Sequence, residues 1–542
     1  MNIKKIFFII FYLTLVTPAN ATIRYMAMTG NDTGECTDIN SPCETLQYCM
    51  TIMKSSDTLI IDDGNYTTSK NSITSTNFPP SGSPGAFTTI KAKHIPGQNG
   101  VPVGQPLRVK FTGAARFFDD SGTHGPSVSY VKFEGIRWNG IDTSQKWDHI
   151  YFKQVASQGV QDGNSAAFTI TGQYNLLEDC VAFGKGRYKF LFYDYSRELQ
   201  TRGPGNNVCR RCVARQDWAK KEDATGDPIA TFVSYFNRGT AFLNCIDIDS
   251  NIPEYWMNSP GELAGAFYQP VDGGPHNMTV SGSIVINSAM GVAFSAAPWD
   301  GVSNSLNKFS NIAAVHVAGG MRLRNGADVN GVTMLDVDSN QFNYRSSTQR
   351  GQINQKDQGI NGYENYVNVR NSIFRHMPNQ APLRQQVTGK YIDTFDVAPG
   401  GIVVSSLITS DPYLHGLKYP VRIETTSPDD SLATSGEAGS QIGARIVNRI
   451  GKDGTFKNDP EWDTEQGPLW PWPLEGWIRA EMRTSDYNAF CAPYVGTPQA
   501  CPPSYPTDAF RGFCADGQTL TNYIFSFLGN QPPPFINAIK VQ

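Results

Sequence analysis

Charged residues are scarce in this chain of 542 residues: Asp, Glu, Lys and Arg make up 17% of it and leave a net charge of −4. This balance gives no reason to expect a nucleic acid as the partner. Several catalytic motifs are also missing, namely HExxH, the G-x-S-x-G nucleophile elbow and the glycine-rich loops that bind nucleotides. The sequence therefore argues against a zinc protease, an α/β-hydrolase and a nucleotide-dependent enzyme.

Apolar runs long enough to cross a bilayer are missing beyond the first 21 residues. Those residues, MNIKKIFFIIFYLTLVTPANA, have Lys4 and Lys5 before an apolar run and end in Ala19-Asn20-Ala21. This is the pattern of a cleaved secretory signal. A retained membrane anchor is the alternative, but the apolar run is short for a span. We expect residues 1–21 to be removed and the mature protein to be secreted, with no membrane span.

Cysteines number ten, and a secreted protein is free to form disulfides with them. Three lie near the start, four in the middle and three near the end: Cys36, Cys43, Cys49, Cys180, Cys209, Cys212, Cys245, Cys491, Cys501 and Cys514. An odd number at each end leaves one thiol over if one local disulfide forms there. The sequence alone does not assign the pairing.

Short β-type segments recur along the chain. NLLEDCVAF (175–183), NVCRRCVAR (207–215) and AFLNCIDI (241–248) place Cys180, Cys212 and Cys245 in equivalent positions, 32 and 33 residues apart. Connections rich in Gly and Asn separate such segments, and no amphipathic helices lie between them. This pattern predicts an all-β solenoid, in which each segment stacks on its equivalent in the next coil. A β-sandwich is the competing fold, but its turn signals would recur every 8–12 residues or so.

Cys209 and Cys212 form a CxxC, which is typical of a metal site or a redox pair in other contexts. In an extended strand, residues three apart point to opposite faces. The two cysteines could then share one zinc ion or close a dithiol only through a local bend. We interpret them as structural cysteines of stacked coils.

The N-terminal stretch MTGNDTGECTDINSPCETLQYCMTIMKSSDTLIIDDGNYTT (28–68) resembles the entry coil of the pectate-lyase-like superfamily. The resemblance implies a right-handed parallel β-helix over residues 22–410, in which CETLQYCMTIM is a short capping helix. Residues 411–542 would pack on or close the solenoid. Trp470, Trp472 and Trp477 in that segment are expected to be buried, and a carbohydrate-binding patch is the alternative.

The resemblance also implies a first candidate site. NKFSNIAAVHVAGGMRLRNGADVNGV is similar to the paired Lys and Arg coils of the chondroitinase-B and alginate-lyase family. The matching residues are Lys308 as base and Arg324 as acid in a β-elimination. The acidic residues that this family places before its Lys, for calcium, are missing here. The alternative is that both side chains are ordinary surface cations.

A second candidate site follows the cysteine column. Residues just after it include Lys185, Arg187, Arg215 and Asp217, expected to bind substrate, and Asp247 and Asp249, expected to bind Ca²⁺. Asp247 and Asp249 alternate with Ile246 and Ile248, so we expect both carboxylates to point outward. A solvated face with weak ion pairs is the alternative.

Together these features predict a secreted β-helix protein that engages an extracellular polysaccharide. Cleavage of an acidic glycan by β-elimination is the leading enzymatic form. The rival is a non-catalytic surface adhesin or coat protein, and the fold alone does not decide between them.

Overall fold

The computed structural model describes residues 21–113, 126–143, 146–160, 165–193, 205–217, 230–235, 237–250, 265–269, 277–295, 307–323, 327–337, 353–354, 367–377, 383–384, 387–397, 403–424, 431–483 and 512–533. The predicted secretory signal lies outside these residues, apart from Ala21.

Short strands make up the first half of the solenoid. They are β1 Ile23–Met26, β2 Thr58–Ile61, β3 Gly64–Tyr66, β4 Thr88–Ala92, β5 Val109–Phe111, β6 Val128–Ser129, β7 Val131–Glu134, β8 Ile136–Trp138, β9 Ile141–Asp142, β10 Trp147–Asp148, β11 Tyr151–Lys153, β12 Ala156–Gly159, β13 Ala166–Ile170, β14 Leu176–Glu178, β15 Val181–Gly184, β16 Tyr188–Tyr193, β17 Val208–Arg210, β18 Val213–Ala214, β19 Ala230–Tyr235, β20 Ala241–Leu243, β21 Ile246–Ile248 and β22 Gly265–Gln269.

Longer strands, which turn corners within themselves, follow: β23 Thr279–Ser295, β24 Asn307–Leu323, β25 Ala327–Val337, β27 Val367–Met377 and β29 Val387–Val397. Shorter strands lie among and after them: β26 Ile353–Asn354, β28 Leu383–Arg384 and β30 Val403–Ile408. The C-terminal segment adds β31 Asn448–Ile450 and β32 Glu465–Pro468. The α-helices are α1 Leu46–Ile52, α2 Ser431–Thr434, α3 Glu475–Met482 and α4 Leu520–Ser526.

The strands pair in parallel from one coil to the next, and the register is kept over many coils. Phe168 pairs with Phe190, Phe190 with Phe232, and Phe232 with Phe267. Their rings stack along the interior with centroids 4.9, 5.2 and 5.2 Å apart, close to the spacing of neighbouring strands. The predicted parallel β-helix is therefore confirmed.

A short helix caps the N-terminal end, as expected. Thr45 begins α1 by accepting a hydrogen bond from the Tyr48 backbone N–H, and the helix buries Leu46, Cys49 and Met50 against the first coil. A disulfide joins Cys36 to Cys43 beside it. This cap covers the stacking edge that the first coil would otherwise expose.

Single residues with left-handed backbone turn the corners between strands. One column of such residues includes Asp179, Arg211, Asn244, Asn311 and Asn371, with φ between 49° and 53°. Gly282 and Gly331 take the same place on the coils between them. Asn and Asp tolerate this conformation better than most residues, and Gly adopts it freely. Their abundance in the sequence reflects these corners, and we call this column the first corner.

The first corner explains the CxxC. Arg211 bends the chain between β17 and β18, so Cys209 and Cys212 both enter the interior and are fully buried. The expectation that they point to opposite faces is wrong for this reason. Cys180, Cys209, Cys212 and Cys245 are all buried free thiols, as the structural interpretation requires.

The described parts of the C-terminal segment, residues 411–424, 431–483 and 512–533, pack along one side of the solenoid over a second apolar core. Outward-facing Val213, Ile246 and Ile284 meet Trp477 and Phe525 there. Trp470, Trp472 and Trp477 are 6%, 2% and 0% exposed, so these rings fill that core and do not form an exposed patch for sugars.

The first corner also holds the C-terminal segment. The side-chain oxygens of Asn244, Asn311 and Asn371 accept hydrogen bonds from the backbone N–H groups of Ile450, Arg445 and Glu437, at 2.7, 3.2 and 2.7 Å. Among the described residues, no helix is long and apolar enough to cross a membrane.

Replacing Asn244 tests the first corner. We expect Asn244→Ala to lower the free energy of unfolding by about 2–4 kcal/mol, because it leaves the Ile450 N–H without its partner and because alanine tolerates the left-handed backbone of this position less well than asparagine does. Asn244→Gly removes only the hydrogen bonds and should lose less. Chemical denaturation of both variants measures this, and an unchanged stability of Asn244→Ala would contradict it.

Candidate functional site

An exposed sheet surface runs along the later coils. Its outward side chains form two columns in register, which we call the polar face: Thr279, Lys308, Asp328, Asn368 and Thr388 in the first column, and Ser281, Ser310, Asn330, Arg370 and Lys390 in the second. The residues between them, such as Phe309 and Val329, point into the core. Successive side chains in a column lie about 4.8 Å apart.

On earlier coils the same surface is covered. Tyr151, Leu176, Val208 and Ala241 precede Thr279 in the first column, and Phe456 of the C-terminal segment packs on them. The loop between β31 and β32 thus forms a wall at one end of the polar face. The surface becomes open to solvent from Thr279 onward.

Charges on the polar face are unevenly compensated. Arg370 donates to both carboxylate oxygens of Asp328 at 2.9 and 3.0 Å and pairs with Glu437 at 2.7 Å. Lys308 and Lys390 are exposed, and the described residues offer neither lysine a carboxylate within ion-pair distance. Neither lysine has an ion pair among the described residues, since the Asp328 carboxylate that follows Lys308 in the first column is held by Arg370.

A third lysine stands at the wall. Lys457 donates to the Gly239 carbonyl oxygen and lies 5.5 Å from the centre of the Trp462 ring. Burial lowers the pKa of its ammonium to about 8; the carboxylate of Asp463 opposes this shift and the positive charge of Lys308 adds to it. The ammonium of Lys457 therefore loses its proton at a lower pH than an ordinary lysine does.

Of the first pair of predicted catalytic residues, only Lys308 lies among the residues that the structure describes. Lys308 lies on the polar face, exposed as expected of a residue that meets a polymer. Arg324 lies outside the described residues, so the pairing of the two stays a prediction. Sequence reasoning did not find Lys457, because its position near the coil of Lys308 depends on the path of the C-terminal segment.

The second set of predicted residues lies mostly beneath the C-terminal segment. Arg215 pairs with Asp217 at 2.6 Å and donates to the Met482 carbonyl oxygen at 3.0 Å, with both charged side chains fully buried. Arg187 packs over the Tyr188 ring at 4.6 Å and is 9% exposed, while Lys185 is half-buried. Three of the four are thus buried, and their role in binding substrate stays a prediction.

Asp247 and Asp249 are also buried, at 0% and 2% exposed, which corrects the expectation that both point to solvent. Asp247 follows Ala182 and Ala214 in an inward column, because Ile246 faces the second apolar core. It accepts hydrogen bonds from Ser250 and Ser288 at 2.6 and 2.7 Å, and burial raises its pKa to about 6.

Asp249 turns toward the C-terminal segment instead. It accepts hydrogen bonds from the Tyr523 hydroxyl at 2.7 Å, the Phe513 N–H at 3.0 Å and the Asn287 amide at 2.7 Å. Both carboxylates are thus engaged by protein donors, and their role as calcium ligands stays a prediction.

One group of three potential metal ligands lies close together among the described residues: Asp62, Asp63 and His94, whose ligand atoms lie within 4.8 Å of one another. Lys93 pairs with Asp62 at 3.1 Å, and Arg108 pairs with Asp63 at 3.2 Å. Two cations already balance the two carboxylates, so the group does not fit a calcium ion, which takes six to eight oxygen ligands.

Three solved structures of polysaccharide lyases are similar to this chain. They are the pectate lyase Pel9A (14% identity, TM-score 0.37, covering 79% of this chain and 97% of that one), a rhamnogalacturonan lyase (12%, 0.42, 82% and 97%) and the PL6 family polysaccharide lyase Pedsa3628 from Pseudopedobacter saltans (12%, 0.43, 76% and 96%). The parallel β-helix of this chain is shown by its own strand pairing, in which each strand lies parallel to its neighbours in the adjoining coils. No protein-family model and no curated protein sequence matches the chain. Structures at these identities and TM-scores carry no conclusion about its activity.

Replacing Lys308 by Met tests whether its positive charge lowers the pKa of Lys457. We expect Lys308→Met to raise the pKa of Lys457 from about 8 toward the ordinary lysine value, because a like charge is lost while the burial remains. NMR titration of reductively methylated lysines measures it. Lys70→Met, at an exposed lysine on the N-terminal cap, is the control and should change nothing. An identical titration of Lys457 in all three proteins would show that the charge of Lys308 does not affect the pKa of Lys457.

Proposed function

We propose that this chain is a secreted β-helix protein whose polar face binds an acidic polysaccharide. The observation that carries the proposal is the register of the polar face: Lys308 and Lys390 lie exposed and without carboxylate partners among Asn, Ser and Thr side chains. An extended polymer lying across the coils would meet equivalent side chains on successive strands.

The chemistry of the polar face suits an anionic sugar. Hydroxyl and amide side chains exchange hydrogen bonds with sugar hydroxyls, and lysines attract carboxylate or sulfate groups. Arg370 is occupied by Asp328 and Glu437, so the attraction comes from Lys308, Lys390 and the partly charged Lys457. Salt screens such exposed charges, so the binding should weaken as ionic strength rises.

Export supports the extracellular partner. The first 21 residues have the pattern of a secretory signal, and the Cys36–Cys43 disulfide fits an oxidising compartment.

Charge removal on the polar face tests the binding. We expect the double variant Lys308→Gln, Lys390→Gln to weaken binding to polygalacturonate, alginate or a glycosaminoglycan about 2- to 30-fold, since each exposed ionic contact contributes about 0.2–1 kcal/mol. Calorimetry at low salt measures the affinity. The control Lys70→Gln should bind as the wild type does. Equal binding by all three proteins would place the glycan elsewhere.

The attraction in this mode of binding comes from lysine side chains and does not pass through a bound cation. The described group that most resembles a metal site consists of Asp62, Asp63 and His94. It lies on coils near the N-terminal end, well before the coil of Lys308. Binding in the calorimetric experiment should therefore survive a chelator.

Cleavage by β-elimination is the second candidate, favoured by the lowered pKa of Lys457. In this reaction a base accepts the C5 proton of a uronic acid, the bond from C4 to the leaving oxygen breaks, and that oxygen gains a proton. A neutral Lys457 would be the base and a charged Lys308 the acid. The assignment from sequence, Lys308 as base and Arg324 as acid, is the alternative pair, and Arg324→Ala tells the two apart.

Cleavage by Lys457 has a defined pH dependence. The rate should rise as pH increases through about 8, because only the neutral amine accepts a proton. Lys457→Arg should retain glycan binding but lose cleavage, since a guanidinium stays charged. The ultraviolet absorbance of the unsaturated uronic ends measures both.

Retained cleavage in Lys457→Arg would exclude Lys457 as the base. Binding without any rise in absorbance, over the whole panel of acidic glycans, would exclude β-elimination and leave a glycoside hydrolase to be checked. If no new reducing ends form either, the rival class of a non-catalytic adhesin or coat protein is favoured.

A further inference from the structure

A second column of left-handed residues lies five positions after the first corner. On four consecutive coils of the later solenoid it consists of His316, Asp336, His376 and Asp396, with φ between 51° and 55°. Imidazole and carboxylate side chains thus alternate along one edge. We call these four residues the His–Asp ladder.

The hydrogen bonds of the ladder fix where the ring protons lie. Nδ1 of His376 lies 2.5 Å from Oδ2 of Asp396, and Nδ1 of His316 lies 3.0 Å from Oδ2 of Asp336. An ionised carboxylate only accepts hydrogen bonds, so each Nδ1 must carry a proton. In neutral His376 the other nitrogen, Nε2, then carries a lone pair and no proton.

That lone pair faces a carboxylate. Nε2 of His376 lies 3.9 Å from Oδ1 of Asp336, which is too long for a hydrogen bond. Bonds of about 2.0–2.2 Å at the tetrahedral angle place two ligand atoms of one zinc ion roughly 3.3–3.6 Å apart. The 3.9 Å between Nε2 of His376 and Oδ1 of Asp336 is slightly longer, and a small rotation of either exposed side chain brings the two atoms to that separation.

We propose that the His–Asp ladder binds a divalent transition-metal ion of the zinc class between Oδ1 of Asp336 and Nε2 of His376. Asp396 orients His376 through Nδ1, as the carboxylates behind metal-binding histidines do. His316 orients Asp336 in the same way. Water fills the remaining positions of the ion, for which the side chains of Asp336 and His376, 41% and 48% exposed, leave access.

The surrounding charges permit a cation. Arg375, next to His376, is paired with Asp411 at 3.0 Å and lies 3.8 Å from the centre of the Tyr413 ring. In the pair of His94 and Asp63, by contrast, a cation already contacts the carboxylate, because Arg108 pairs with the second oxygen of Asp63. His94 is therefore a matched control.

Titration with zinc chloride tests the proposal on the tag-free mature protein. We expect calorimetry to show one zinc ion bound per chain, and Co²⁺ to give the visible spectrum of a nitrogen and oxygen site. His376→Gln and Asp336→Asn should each weaken zinc binding at least about tenfold. Asp396→Asn should weaken it about 10- to 100-fold, as the loss of an orienting carboxylate does.

His94→Gln should bind zinc as the wild type does, and circular dichroism confirms that each variant is folded. Equal zinc affinity in His376→Gln and the wild type would overturn the proposal, as would the absence of saturable binding in the wild type. The result is independent of the glycan, because the ladder and the polar face are different columns of the same coils.

Discussion

The stacking of left-handed corner residues is the constraint on which the rest of this structure depends. A corner made by one residue keeps each coil in register with the next only if every coil places a tolerant residue there, as Asn244, Gly282 and Asn311 do. Register in turn aligns the phenylalanine stack inside and the polar columns outside. Because the corner asparagines also hold the backbone of the C-terminal segment, one set of residues decides both the solenoid and what covers it.

The C-terminal segment divides the outer surface into two kinds of face. Where it packs, outward positions carry apolar residues such as Ile246 and Ile284, and charged residues are buried as pairs. Lys153 and Arg211, for example, meet Glu178 and Asp179 at 2.5 to 3.4 Å. Where it ends, outward positions carry Ser, Asn, Thr and Lys and remain open. The proposed binding surface for a polymer is thus the part of the solenoid that the C-terminal segment leaves exposed.

The fold could be predicted from sequence because its signals are local and repeated: the column of Cys180, Cys212 and Cys245, and the helical spacing of Leu46, Cys49 and Met50 in the cap. The orientation of Asp247 could not. Alternation correctly put Ile246 and Asp247 on opposite faces, but the assumption that Ile246 faces the core fails where a second apolar core lies outside. The left-handed corner at Asp249 then turns that carboxylate away from the face of Asp247. Lys457 could not be found either, because it reaches the polar face through a hydrogen bond to Gly239, 218 residues away in sequence.

The central claim, that the polar face is the glycan-binding surface, is tested most directly by lysine footprinting. The mature protein would be acetylated with and without a saturating acidic oligosaccharide, and the modification at each lysine read by mass spectrometry. The account predicts protection of Lys308, Lys390 and Lys457, with Lys70 and the exposed Lys452 modified equally in both samples. Protection elsewhere, with Lys308 and Lys390 modified at an unchanged rate while the sugar is bound, would contradict it.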